Sequence, residues 1–276
     1  MPSIEAIAQR AAAADGAAPL DEATLMALRS GQVKSTQHDG AFYLVRGTEL
    51  TLVVDPPARR HGLGTALLGE ALAQYPQLSS AWSHGNHPGA AALAASAGWD
   101  RVRDLWVMRR PLGPDAEPLP ELEVPAGVKL HRFGERTGDS YEVLRVNREA
   151  FADHPEQGSM DLVNMAQRMA EPWFDPAGLI LAAPDNGLGT LGFHWTKRHS
   201  ETLGEVYVVG VDPRSQGRGI GRLVTLAGLH HLADEGITEV LLYVEATNKA
   251  AVRTYEGLGF THADADTHVM YARQPD

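Results

Sequence analysis

Two stretches of this chain repeat each other at a fixed spacing, and that repeat constrains the fold more than any other feature. VVDPPARRHGLGTALLGEAL begins at Val53, and VGVDPRSQGRGIGRLVTLAGL begins at Val209. An offset of 157 lays Val54-Asp55-Pro56 on Val211-Asp212-Pro213, Arg59 on Gln216, Gly62 on Gly219 and Gly64 on Gly221. A shared strand end and a shared loop at one offset mark an internal repeat. Each copy reads as an apolar strand, a glycine loop and an amphipathic helix. The copies also end alike. A strand, a small helix and a Gly-aromatic pair occur at 80–99 and again at 241–260, and a last strand follows each, at 102–111 and 265–275.

The loop says what such a unit can hold. Gln216, Gly217, Arg218, Gly219, Ile220, Gly221 and Arg222 place several backbone N–H groups and a helix N-terminus around one point, which makes an anion site. Glycine lets a ligand approach the backbone closely. The spacing fails the dinucleotide pattern G-x-G-x-x-G, and no Lys-Ser or Lys-Thr follows to make a P-loop. What remains is Q-x-x-G-x-G after a V-G-V strand. Arg218 and Arg222 add positive charge for phosphate oxygens.

Between the copies, 111–127 carries five prolines and scattered acids, which predicts a stiff extended linker. The expected domains are therefore 1–110 and 128–276. In the first, 4–15 and 21–30 read as helices and 41–54 as two strands turning at Gly47-Thr48. In the second, VKLHRF (128–133) is a strand, 139–151 and roughly 161–171 are helices, and 178–199 is a hairpin around Asp185-Asn186-Gly187. Helices and strands in this order predict an α/β (α+β) fold with a mixed, mostly antiparallel sheet flanked by helices.

Charge and composition exclude other classes. A net charge of −11 argues against nucleic-acid binding. With no cysteine there is no disulfide framework and no thiolate metal site. The 12 histidines form no HExxH pattern, and His230-His231 points to two faces of one helix, so no metal is expected. No apolar run reaches membrane-span length and the N-terminus reads as an amphipathic helix, so a cytoplasmic protein off the membrane is expected, as a monomer.

The loop is flanked by a strand that suits an extended ligand arm, a candidate base and a candidate acid. Val209, Gly210 and Val211 supply the strand, and Gly210 is expected to allow a bulge that frees an N–H. Glu205, at the head of that strand, is the candidate base, and Tyr255 is the candidate acid, since a phenol can donate to a departing thiolate. Asn248 caps the short helix that carries Lys249, Ala250, Ala251, Val252, Arg253 and Tyr255.

The run N-x-x-A-x-x-x-Y-x-x-x-G-F, together with Q-x-x-G-x-G, resembles the GCN5-related N-acetyltransferase superfamily. HPEQG (154–158), GFHWTK (192–197), LGEVYVVGVDP (203–213) and LLYVEATNKAAVRTY (241–255) narrow the resemblance to its tandem-domain mycothiol synthase family. That resemblance implies two tandem acetyltransferase domains, with acetyl-CoA as co-substrate. The second partner is a small thiol-amine, cysteinyl-glucosaminyl-inositol, whose amine is acetylated to give mycothiol. It implies acetyl-CoA contacts at Val209–Val211, Gln216–Arg222 and Asn248–Arg253. It implies substrate contacts at Glu156, Lys197, Glu205 and Tyr243, and at Glu22 in the first copy. His154 and Trp195 are read as pocket wall.

The first copy keeps the loop and loses the chemistry. Thr48 stands where Glu205 does, Ala94 where Tyr255 does and His87 where Asn248 does. Acetyl-CoA binding without turnover is expected there, through Leu52, Val53, Val54, Arg60, His61, Gly62, Leu63, Gly64 and Thr65. Two other readings stay open: a tandem acetyltransferase for another small amine or a protein N-terminus, and a non-catalytic acetyl-CoA sensor.

Overall fold

Short polar side chains open the helices where the sequence marks them. Ser3 Oγ accepts from Ala6 N, Asp21 Oδ1 from Thr24 N, Asp161 Oδ1 from Asn164 N and Asn248 Oδ1 from Ala251 N. Each such cap stabilises its helix by about 1 kcal/mol. The computed structural model describes residues 2–152, 157–187 and 189–273. In chain order it holds α1 (Ile4–Asp15), α2 (Glu22–Arg29), β1 (Lys34–His38), β2 (Ala41–Arg46), β3 (Glu49–Val54), α3 (Leu63–Gln74), β4 (Ser80–Ser83), α4 (Pro88–Ser96) and β5 (Trp99–Pro111). There follow β6 (Val128–Arg132), α5 (Asp139–Ala150), α6 (Leu162–Met169), β7 (Leu179–Pro184), β8 (Gly192–Arg198), β9 (Leu203–Val211), α7 (Ile220–Asp234), β10 (Glu239–Glu245), α8 (Lys249–Glu256) and β11 (Thr261–Arg273).

The chain divides into two compact units. The first comprises the chain up to Val107, Glu245–Thr247 and the C-terminal strand from His262; the second comprises Met108–Val244 and Asn248–Thr261. In the first unit the strands follow the order β1-β2-β3-β4-β11-β5. Strand alternation buries both faces of β2. Ala41, Tyr43 and Val45 pack with Leu67 and Ala71 of α3, while Phe42 and Leu44 pack with Ile7 and Ala11 of α1. The second unit has the order β10-β9-β8-β7-β6, with the end of β5 beside β10. Its sheet is covered by α5 and α6 on one face, through Val143, Leu144 and Met165, and by α7 on the other, through Ile220, Leu223 and Val224.

These units differ from a division by position along the chain. The last strand, β11, lies in the first unit, pairing antiparallel with β4 through Val269↔Ser83 and Tyr271↔Ala81. The cause is alternation: Val269 and Tyr271 present an apolar face that enters the core built by α3 and Trp99. Conversely Met108 to Pro111, the end of β5, belongs to the second unit. From Leu112 to Gly127 the proline-rich segment forms no helix or strand, and it is tied down. Arg110 Nη2 donates to Glu117 O (3.0 Å) and Pro118 O (3.3 Å), His230 Nε2 meets Pro120 O at 2.9 Å, and Leu122 packs on the α7 cluster. Sequence reading also passed over β1, a polar edge strand without apolar alternation.

Candidate active site

The anion loop of the second unit starts with backbone conformation. Gly217 (φ 74°) and Gly219 (φ 78°) are both left-handed, a conformation that costs a side-chain-bearing residue about 1–2 kcal/mol. Gly219 caps α7, and its carbonyl accepts from Leu223 N at 3.0 Å. The first-turn amides of Ile220, Gly221 and Arg222 therefore have no intrahelical acceptor and carry the positive end of the helix dipole. Gln216, Gly217, Arg218, Gly219 and Arg222 are all exposed. A cleft of about 380 Å³ opens beside them, lined by Arg145, Arg214, Arg218 and Asp212 among others. Asp212 fixes two of those arginines. Arg214 Nη2 donates to it at 2.9 Å and Arg145 Nη1 at 2.8 Å, and these bonds, Arg214's first, hold its carboxyl far below the usual carboxylate range. Arg218 stays exposed at the rim.

The strand leading to this loop is half free. The parallel ladder of β9 with β10 runs from Glu239↔Leu203 to Leu242↔Val206 and stops. From Tyr207 to Val211, including Val209 and Gly210, β9 has no registered partner on that side among the described residues, so its edge is open to an extended ligand arm. The bulge lies elsewhere than expected. Trp195 opposes Val208 and Thr196 opposes Val206, so the extra residue is Tyr207, whereas Gly210 sits in register opposite Phe193. Gly210 is glycine because a Cβ there would stand 2.5 Å from Phe193 Cε1.

The bulge sorts side chains onto faces. Phe193, Trp195 and Lys197 of β8 share one face with Glu205 and Val208 of β9, against α5 and α6. On this face Lys197 opposes Glu205 directly. Both are buried, at 7% and 6% exposure. The Lys197 ammonium stands over the rings of Trp173 (4.8 Å) and Tyr207 (5.2 Å), a favourable cation–π arrangement. Arg168 Nη1 donates to Tyr207 Oη at 2.8 Å. Trp195 is fully buried among Trp173, Phe174 and Tyr207, in the aromatic core of this face. Glu205 Oε2 lies 2.6 Å from His199 Nε2, a partner that sequence reading missed because it depends on how the β8–β9 turn folds back.

On α8, Asn248 spends its side chain on the cap to Ala251 N, and Lys249, Ala250, Ala251, Val252 and Arg253 form the first turns. Tyr255 packs edge-on against Phe260, with ring centroids 5.9 Å apart. Its side chain as a whole is only partly buried, but protein surrounds the phenol, and that local burial pushes its pKa up to about 12. Tyr243 is 44% exposed on β10. Glu22 opens α2 of the first unit. Glu156 and His154 lie outside the described residues. Of the four substrate-contact candidates in the second copy, the structure pairs Lys197 with Glu205 and sets Tyr243 on the next strand.

The first unit repeats the loop geometry. Gly62 (φ 82°) caps α3, and its carbonyl accepts from Ala66 N at 3.0 Å. The parallel ladder of β3 with β4 covers only Glu49↔Ser80 and Leu50↔Ala81, so Leu52, Val53 and Val54 are free of β4. Arg60, His61, Gly62 and Thr65 are exposed, and Leu63 and Gly64 partly so. Asp55, the counterpart of Asp212, is held by Arg10 of α1 at 2.5 Å, as Asp212 is held by Arg145 of α5.

Known proteins place this geometry. Residues 142–260 match the acetyltransferase (GNAT) family. The mycothiol acetyltransferase of Nocardioides sp. is 56% identical, over 98% of this chain and 97% of its own length. That of Thermomonospora curvata is 48% identical over 98% and 92%. Among solved structures, a GCN5-related N-acetyltransferase from Sphaerobacter thermophilus superposes with a TM-score of 0.72 at 22% identity, covering 99% of this chain and 93% of that one. A tandem GNAT protein from the clavulanic acid biosynthesis pathway gives 0.61 at 22% identity, over 86% and 79%. At such identities the structures speak for the fold alone. The sequence relatives go further: at about half identity over nearly the whole length, this chain belongs to the mycothiol acetyltransferase family.

Proposed function

We propose that the second unit transfers the acetyl group of acetyl-CoA to the cysteinyl amine of cysteinyl-glucosaminyl-inositol, giving mycothiol and CoA, in the cytoplasm and without a metal. The observation that carries this reading is Glu205: a buried carboxylate at the head of a strand whose free edge leads straight to an exposed anion loop. The loop fits a diphosphate, since its left-handed glycines leave open space where a Cβ would stand. Acetyl-CoA supplies an activated acyl group, and amide formation from a thioester is downhill.

The chain's own groups do the rest. Gln216 to Arg222 hold the diphosphate, and Arg218 and Arg222 neutralise charge around it. The free edge of Val209, Gly210 and Val211 pairs with the pantetheine amides, and Asn248 to Arg253 flank that arm. Glu205 takes the proton of the attacking ammonium. Tyr255 remains a phenol throughout the neutral range and donates its proton to the departing sulfur. Lys197, Tyr243, Glu156 and Glu22 hydrogen-bond the hydroxyls and amine of the thiol substrate. The first unit, through Leu52–Val54 and Arg60–Thr65, binds acetyl-CoA without turning it over.

The test is product mass. Incubated with acetyl-CoA and cysteinyl-glucosaminyl-inositol, the protein should yield the N-acetylated thiol, detected by mass spectrometry because the substrate's own thiol masks released CoA. Binding of acetyl-CoA without product would favour a sensor. Product only from other amines would leave the acetyltransferase and remove the substrate.

A further inference from the structure

The proton that Glu205 removes must leave a buried carboxylate, only 8% exposed at its side chain. Among the described residues, His199 is the group that touches the Glu205 carboxylate and also reaches water. His199 lies just past the end of β8, where its backbone N–H donates to Leu203 O at 2.9 Å and fixes the tight return into β9. Its side chain is 33% exposed, yet its Nε2 sits 2.6 Å from Glu205 Oε2. Lys197, the other charged neighbour on this face, opposes Glu205 in register and points its ammonium into the Trp173–Tyr207 rings. Arg198, next to His199, turns away to Glu235 at 3.3 Å.

We propose that His199 acts through Glu205 as a positioning and relay residue, carrying the amine's proton from the buried carboxylate to solvent. This rests on the reading of Glu205 as the base. In the step, the N–H bond of the substrate ammonium breaks and its proton joins a Glu205 oxygen, leaving the free amine to attack. The carboxyl proton then passes from Oε2 to His199 Nε2, restoring the carboxylate. The imidazolium releases one proton to water through Nδ1, and the neutral ring resets its tautomer by exchange with solvent. No oxidant or further reactant is required, and one proton enters bulk water per amine deprotonated. A histidine suits the task because either ring nitrogen can take or give a proton near neutral pH.

The experiment compares His199→Ala and His199→Gln with the parent, all full length, by steady-state production of the acetylated thiol and by thermal melting. His199→Ala should lower kcat about ten- to a hundred-fold, less than loss of the base itself, with the KM for either substrate unchanged within about two-fold. Added imidazole should recover at least about five-fold of its kcat. His199→Gln keeps an N–H donor to Glu205 and should melt like the parent, but its kcat should stay as low as that of the alanine variant. Parental kcat in His199→Ala overturns the relay. So does parental kcat in His199→Gln, which would reduce His199 to a hydrogen-bond support, and so does an alanine variant that imidazole leaves unmoved. If the parent itself makes no acetylated thiol, the reading of Glu205 falls first and the relay with it.

Discussion

The two units build the same anion loop on different hairpins. In the first, β2 and β3 close tightly: Arg46 faces Glu49 and Gly47 (φ 62°) makes the turn. In the second, β8 and β9 run on past the equivalent point. Tyr207 is inserted as a bulge, Thr196 faces Val206, Lys197 faces Glu205 and Arg198 faces Gly204. Of the residues proposed for the chemistry, Lys197, His199 and Glu205 lie in or just past this added length, while Tyr255 lies on α8. The loop, its capping glycine, the splayed strand and the arginine-held aspartate occur in both units. What separates them is a hairpin extension and Tyr255 of α8, where α4 carries Ala94, so ligand binding and chemistry reside on separable parts of the fold.

The largest expected effect breaks that comparison at its sharpest point. Glu205→Gln keeps the size and a hydrogen-bonding head but cannot take a proton. It should cut kcat/KM about 10²- to 10³-fold, as loss of a general base does, with acetyl-CoA affinity kept. Thr48→Glu, which places a carboxylate at the matching position of the short hairpin, should restore none of it. Turnover of the Glu205→Gln, Thr48→Glu pair measured against Glu205→Gln alone checks both claims. Tyr255→Phe should fall between parent and Glu205→Gln. Because burial lifts the phenol to about 12, the parent should show no alkaline loss of rate from this group below about pH 10.

A second contrast lies beneath the strands. Tyr43 of β2 pairs with Leu52, and His194 of β8 pairs with Val209, so the two side chains hold equivalent places. Both are fully buried. Tyr43 sends its hydroxyl to Gln74 Oε1 at 2.7 Å. His194 Nδ1 meets Val224 O at 3.1 Å, while its Nε2 has no partner among the described residues. Burial first, and neighbouring His231 to a lesser extent, lower its pKa to about 4, from an ordinary value of about 6.5. The native state thus binds this proton later than the unfolded chain does. Stability is complete above about pH 6.5 and is lost as pH falls toward 4, by about 3 kcal/mol over the full shift. Urea unfolding at pH 7, 5.5 and 4.5 should show that slope, and His194→Asn should flatten it.

A third contrast concerns packing. Phe42 faces Val53 in the first unit, and Phe193 faces Gly210 in the second. The Phe193 ring occupies the space a Cβ would need, at 2.5 Å. Gly210→Ala should destabilise by about 1–3 kcal/mol through overpacking. Combining it with Phe193→Leu should recover part of that loss, and a double-mutant cycle reads the coupling.

These contrasts show which parts of the molecule the sequence carries openly. The repeat, the loop and the cap of α8 are local in the chain, so Gly219 and Asn248 declare their places by spacing alone. The bulge at Tyr207 does not, because a bulge is a relation between two strands; reading V-G-V as its signal put it three residues too late. His199 stayed hidden for the same reason, since its contact with Glu205 depends on the return of the hairpin. The exchange of β11 was invisible too. Val269 and Tyr271 alternate as any final strand would, and nothing in that pattern names the sheet it joins.

The smallest effect tests how faithfully the loop has been kept. At the place of Gly217 the first unit carries Arg60, and Arg60 is the only non-glycine residue with positive φ among the described residues, at 67°. A left-handed arginine costs about 1–2 kcal/mol, partly offset because glycine gives the unfolded chain more freedom. Arg60→Gly should therefore stabilise the protein by about 0.5 kcal/mol, seen as a small rise in the urea midpoint. If Arg60 is held in this conformation by the demands of a diphosphate site, the same substitution should also weaken acetyl-CoA binding in Glu205→Gln protein, where turnover no longer depletes the ligand. One acetyl-CoA per chain, bound with the same affinity before and after the substitution, would mean that the strained arginine is a remnant of the repeat and that only the second loop binds.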